Sequence, residues 1–200
     1  MEYSIFDDEV VSMARLVVST GAQHGMTCGT AESCTGGLIA AAITSVSGSS
    51  AVLRGGVVSY DPTVKHDVLG VSQAVIDDPS QGVVSEPCAL QMCRGAREVM
   101  KCDVAVSVTG IAGPGGAEPG KPVGTVWFGI ATPLESKAHV MCFPGGRDEV
   151  RRNAVLHALG LVREAFMELA EVDSACQGAA TNCCDKGAAG GSPESGFRAS

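Results

Sequence analysis

The stretch Ala31-Glu32-Ser33-Cys34-Thr35-Gly36-Gly37 puts a hydroxyl beside a thiol, directly ahead of paired glycines. A serine or cysteine becomes a nucleophile only when a neighbour takes its proton or lowers its pKa. Glycines let the backbone approach a ligand, and free amides at a helix start can hold an anion or a developing oxyanion. Local sequence equally allows an ordinary helix cap by Ser33 or Thr35. The stretch is not a Walker A loop, which requires Gly-Lys-Ser/Thr. Nor is it a G-x-S-x-G elbow, because Ala31 and Thr35 stand where glycines should be. Cys34, intrinsically the stronger nucleophile, is the alternative to Ser33.

A proton acceptor must come from elsewhere. The stretch Val58-Ser59-Tyr60-Asp61-Pro62-Thr63-Val64-Lys65 supplies a lysine and a tyrosine. Burial disfavours a charged lysine and lowers its pKa, which would let Lys65 act as a base, while Tyr60 could relay or orient the proton. The bland alternative is a solvated Lys65 and a Tyr60 that merely ends a strand. Two further stretches suit anion binding. Thr109 and Gly110 open a glycine-rich loop that runs to Pro122, and its amides could form a concavity. Arg147 and Arg151 lie one helical turn apart and could aim two guanidiniums at a phosphate, or simply be solvated helix charges.

These stretches need elements to hold them. Apolar spacing predicts a helix over 10–24, a short strand over 26–31 and an Ala-rich helix from Thr35 to about Val46. A second strand over 57–60, a helical turn or two over 63–69, and a helix capped by Ser85 with Pro87 in its first turn come next. Val104 to Thr109 reads as a buried strand. Strands over 124–131 and 138–143 are spaced for a hairpin. The last helix is expected to run from after Asp148 to about Glu171, and residues 172–200, rich in Ser, Gly, Ala and Cys, read as a flexible tail. The domain is therefore placed at 1–171. Alternating strands and helices predict an α/β fold with helices on both faces of a mixed sheet.

Composition narrows the function. The net charge is −8, which disfavours a broad nucleic-acid surface but leaves room for one small phosphate ester in a local basic pocket. No apolar run is long enough to span a membrane, and the acidic N-terminus fits no targeting peptide, so a cytoplasmic protein is expected. The nine cysteines form no C-x-x-C pair and the four histidines are scattered, so neither a metal site nor another cofactor is expected. The cysteines read as buried small hydrophobes in a reducing compartment, with exposed thiols at 176, 183 and 184. Self-association is left open.

Taken together, the Ala31–Gly37 block, Val58-Ser59-Tyr60 with Lys65 ahead of Leu69-Gly70-Val71, Val84-Ser85-Glu86, Val108–Pro114, Lys121–Val126 and Gly146-Arg147 with Arg151 resemble the CinA C-terminal domain family. The match runs over about 10–166. It departs at Gly115-Gly116 and at Gly146, where the family pattern carries acidic or polar residues. The resemblance implies a three-layer α/β/α domain with a mixed, five-stranded sheet. It also implies deamidation of nicotinamide mononucleotide to nicotinate mononucleotide and ammonia. Ser33 would be the nucleophile, activated by Lys65 and Tyr60, with Thr35, Gly36, Gly37, Thr109, Gly110, Arg147 and Arg151 contacting the substrate. The rival expectation is a non-catalytic nucleotide-binding or competence-associated module.

Overall fold

The computed structural model describes residues 5–184, with side chains through residue 175. In chain order the elements are α1 (Asp8–His24), β1 (Cys28–Glu32), α2 (Leu38–Thr44), a 3-10 turn (Ser49–Ala51), β2 (Leu53–Val58), α3 (Pro62–Leu69), α4 (Gln73–Ile76), α5 (Glu86–Met100), β3 (Val104–Gly110), β4 (Thr125–Ala131), β5 (Ser136–Cys142) and α6 (Arg147–Cys184). The chain divides into two units, Met1–Met167 and Glu168–Ser200. The first holds the sheet and the candidate site. The second is helical through Cys184.

The five strands form one mixed sheet in the order β2-β1-β3-β4-β5. β2, β1 and β3 are parallel, and β3, β4 and β5 are antiparallel. One row crosses the sheet: Val58, Glu32, Val108, Phe128 and His139 are successive partners. After β1 the chain crosses to β2 on one side, then returns past β1 to β3 on the other. The carboxyl end of β1 is thus a topological switch point, where open α/β sheets form their ligand crevices.

Two faces of the sheet are covered differently. On one, Leu69 and Val71 from the α3 end join Cys88, Met92 and Ala96 of α5 and Ala31 and Ala105 of the strands in a buried apolar cluster. Each fully buried Val, Leu or Met there is worth roughly 1.5–3 kcal/mol. On the other face α1, α2 and α6 pack. Gly21 of α1 admits Phe166 and Val52 side by side, and His157 of α6 meets the edge of Phe128. With few aromatic residues available, small aliphatics and cysteines fill the interior: Cys28, Cys34, Cys88, Cys93 and Cys102 are all buried.

Helix ends follow local chemistry. Asp7 caps α1 by accepting from the amides of Glu9 and Val10, and Gly25 closes it at φ 64°. Asp61 caps α3, Pro62 fits its first turn, and Gly70 ends it. Gly95 in α5 is required by a close approach: a Cβ there would lie 1.9 Å from the Leu69 carbonyl oxygen and 2.6 Å from its carbon. Backbone cannot yield as a flexible side chain would. Gly95→Ala is therefore expected to lower stability by about 3 kcal/mol or more, read as a drop in the urea midpoint with unchanged slope.

Several boundaries differ from the sequence expectations. β2 lies at Leu53–Val58 rather than 57–60, because its centre is Gly55-Gly56, which carries no strand signal. Gly56 is needed there: a Cβ would come within 2.5 Å of Thr30 Oγ1. The short helix α4, capped by the Ser72 hydroxyl, was not anticipated. α6 continues past the expected stop at Glu171 to Cys184. The segment expected to be a flexible tail is therefore helical over its first part; residues 172–184 contain no proline, and alanines there favour helix even without an apolar face. The expectations for the side chains of Cys176, Cys183 and Cys184, and for 185–200, lie outside the described residues. No helix among the described residues is long and apolar enough to cross a membrane.

Candidate active site

Ser33 is the first residue beyond β1, and its amide continues the sheet by donating to the Val108 carbonyl at 2.9 Å. Ser59 takes the equivalent place beyond β2, with its amide 2.8 Å from the Glu32 carbonyl. The Asp61 cap then starts α3 so that Lys65 and Leu69 form its buried side. Lys65 is only 1% exposed, the largest side chain to be so completely enclosed. Its Nζ donates to Ser33 Oγ at 3.1 Å and, over a very short contact, to the Ser59 carbonyl oxygen.

Desolvation works against the charged form of this amine. Burial pulls the Lys65 pKa below its ordinary 10.5, and Cys88, Cys34 and Asp61 oppose the shift only in part. The Cys34 thiol behaves in the opposite sense. Burial pushes it up to about 11, leaving it protonated at neutral pH, and it is only 6% exposed. A buried thiol without a proton acceptor packs rather than attacks. Ser33, not Cys34, is hydrogen-bonded to Lys65.

Tyr60 projects outward, 64% exposed, because side chains alternate along this extended segment and Ser59 takes the inward place. It makes no hydrogen bond to Ser33 or Lys65. The glycine turn also distributes its groups differently from expectation. The Gly36 amide donates to the Ser33 carbonyl at 3.1 Å, and the Gly37 amide to Glu32 Oε2 at 2.9 Å. Only the amides of Cys34, which faces its own sulfur, and Thr35 lack a carbonyl or carboxylate acceptor in the turn. The Thr35 hydroxyl is buried and unpartnered within the protein.

The other expected contacts act as ties between loops. Thr109 Oγ1 donates to the Val83 carbonyl at 2.7 Å, and Gly110 lies so close to β4 that a Cβ would sit 2.7 Å from the Thr125 oxygen. Arg147 Nη1 donates to the Gly113 carbonyl at 3.0 Å. Arg151 reaches the Cys34 and Thr35 carbonyls at 3.2 and 3.3 Å. Both guanidiniums have more N–H groups than these contacts use. Sequence reasoning gave no part to Glu32, whose carboxylate is buried at 1% exposure. The available signal was an acid at a strand's end immediately before a helix start.

His139 and His157, far apart in sequence, meet with their Nε2 atoms 2.7 Å apart. Their ring centroids are 5.0 Å apart, so the rings face each other end to end across a hydrogen bond rather than converging on one point. Among the described residues no group of three metal-ligating side chains comes together.

A serine hydroxyl held against an enclosed lysine, at the switch point of a three-layer sheet, defines an α/β protein carrying a Ser–Lys pair. The chain belongs to the CinA C-terminal domain family, whose pattern matches residues 10–166. It is 41% identical over 163 residues to the nicotinamide-nucleotide amidohydrolase PncC of Escherichia coli K12, covering 81% of this chain and 98% of that protein. A relative from Caldanaerobacter subterraneus, named for competence-damage induction, is 41% identical over 171 residues, but the chain spans only 40% of its length. Among solved structures, the competence/damage inducible protein CihA from Agrobacterium tumefaciens superposes with a TM-score of 0.78 at 39% identity, over 82% of this chain and 99% of that one. A CinA superfamily protein from Escherichia coli gives 0.73 at 32% identity, over 82% and 95%.

Proposed function

We propose that this protein hydrolyses the carboxamide of nicotinamide mononucleotide to nicotinate mononucleotide and ammonia, with Ser33 as nucleophile and Lys65 as its base. The observation that carries the reading is the 3.1 Å contact between Lys65 Nζ and Ser33 Oγ in an enclosed setting that favours the neutral amine. The likeness to PncC over nearly that protein's whole length supports the choice of substrate.

Neutral Lys65 takes the Ser33 proton as Oγ bonds to the carboxamide carbon, whose oxygen becomes an oxyanion. The Cys34 and Thr35 amides, which have no carbonyl or carboxylate acceptor in the turn, follow directly on the nucleophile and are assigned as the donors for that oxyanion. The tetrahedral intermediate then collapses. Its C–N bond breaks, the nitrogen takes the proton from the Lys65 ammonium, and ammonia leaves an acyl-Ser33. Water gives a proton to Lys65 and attacks the ester, and return of that proton to Oγ frees nicotinate mononucleotide and Ser33. Tyr60, at the rim, is assigned to contact with the substrate, and the remaining donors of Arg147 and Arg151 to its phosphate. No step is assigned to a metal.

The test is ammonia release from a panel of carboxamides, with and without a chelator. The mononucleotide is expected to be turned over in both conditions. Binding without turnover would favour a nucleotide-binding module, and loss with chelator would remove the metal-free scheme.

A further inference from the structure

The turn that carries Ser33 is held by its backbone from two sides. Glu32 Oε2 accepts from the amides of Gly37 at 2.9 Å and Ile39 at 3.1 Å. Oε1 accepts from the Ala40 amide at 2.9 Å and from Thr30 Oγ1 at 3.1 Å. These amides belong to the start of α2, whose own cap position is Gly37 at φ 93°, a residue with no side chain to satisfy them. The carboxylate thus does from the strand what a serine or aspartate cap does from within the helix. On the carbonyl side, Arg151 donates to Cys34 and Thr35. Between these holds, Ser33 is fixed through its own amide and carbonyl.

We propose that Glu32 is a positioning residue for the reaction: with Arg151 opposite, it fixes the turn so that Ser33 Oγ stays within reach of Lys65. The carboxylate also occupies the α2 amides that a substrate phosphate would otherwise find. A carboxyl group buried at 1% exposure is tolerable because four donors satisfy its two oxygens. Only a group with two acceptor oxygens can serve all four. A glutamine would turn its NH2 toward part of the set and leave an amide unpaired. Displacing reacting atoms by about 1 Å costs on the order of 10²-fold in rate, so a slack turn should lower kcat rather than weaken binding. The four donors that face the Glu32 oxygens do not include Lys65, so the kcat pH midpoint should stay in place.

The inference rests on Ser33 being the nucleophile of the proposed reaction. The experiment compares wild type, Glu32→Gln and Glu32→Ala for ammonia release from nicotinamide mononucleotide, corrected for the folded fraction from melting curves. In parallel, Ser33 is labelled with a fluorophosphonate probe. For Glu32→Gln, kcat should fall by about 10–100-fold with KM within about threefold and the kcat pH midpoint unmoved. Labelling should slow by about tenfold or more. Glu32→Ala should lose more, and if it does not fold, Glu32→Gln carries the test. Wild-type kcat per folded molecule in Glu32→Gln would overturn the inference, as would a displaced pH midpoint. A wild type that releases no ammonia would sink the proposed reaction instead. The Glu32 role would then be decided by labelling alone, and equal labelling of the two proteins would overturn it.

Discussion

Ser33→Ala is expected to reduce ammonia release by at least about 10⁴-fold, whereas Cys34→Ala should cost about tenfold or less. A loss of that size corresponds to about 5.5 kcal/mol of transition-state stabilisation. The asymmetry follows from adjacent residues in different surroundings. The Ser33 hydroxyl is 3.1 Å from the Lys65 amine. The Cys34 thiol is held near pKa 11 by burial, with no acceptor for its proton. Both variants remove one heavy atom, so neither should disturb the sheet. Steady-state assays on the two purified proteins, beside wild type, check it. The reverse ranking would move the nucleophile to sulfur and discard the Ser–Lys scheme.

The second large effect belongs to Lys65. Lys65→Met should lower kcat/KM by about 10²–10⁴-fold, the usual worth of a positioned general base. Lys65→Arg should be no better, although it keeps a positive charge, because a guanidinium does not give up its proton at accessible pH. An active arginine variant would mean that charge, rather than proton transfer, is what this side chain supplies. The pH dependence has a definite sign. Only neutral Lys65 can accept the Ser33 proton, so wild-type kcat/KM should rise with pH and level off above the Lys65 pKa. Burial lowers that pKa from 10.5, which moves the rise toward neutrality. Folding favours the neutral amine too. Between the lowered native pKa and 10.5 the unfolded chain binds more protons, so this group's contribution to stability grows as pH rises and is lost as pH falls through the native pKa. Lys65→Met removes a buried amine whose desolvation costs stability, and at neutral pH its melting temperature should match or exceed that of wild type. A large drop would make Lys65 a structural anchor, through the Ser59 carbonyl, rather than a base held at a cost in stability.

What could be read without coordinates was what depends on near neighbours. The run Val104–Thr109 announced a central strand, since a Val-rich stretch with only small polar interruptions suits a strand buried on both faces. Ser85 with Pro87 announced the start of α5, and Gly25 closes α1 where the chain must turn left-handed. The spacing of the last two strands implied the antiparallel pair β4 and β5, hence a mixed sheet. Where local signals were absent, boundaries moved: Gly55-Gly56 concealed β2, and the lack of an apolar period beyond Glu171 concealed the length of α6. Ser33 and Lys65 were singled out by residue type, and the family pattern joined them.

Their pairing is a tertiary event. Lys65 meets Ser33 across 32 residues, and Arg151 meets Cys34 across 117. No local propensity encodes how deeply a lysine is enclosed, and enclosure is what depresses its pKa. The same packing turned Tyr60 to solvent while burying Ser59 beside it, and placed Glu32 under the amides of α2. Short-range sterics and capping set the elements; desolvation and hydrogen bonds between distant segments decided which polar groups became a site.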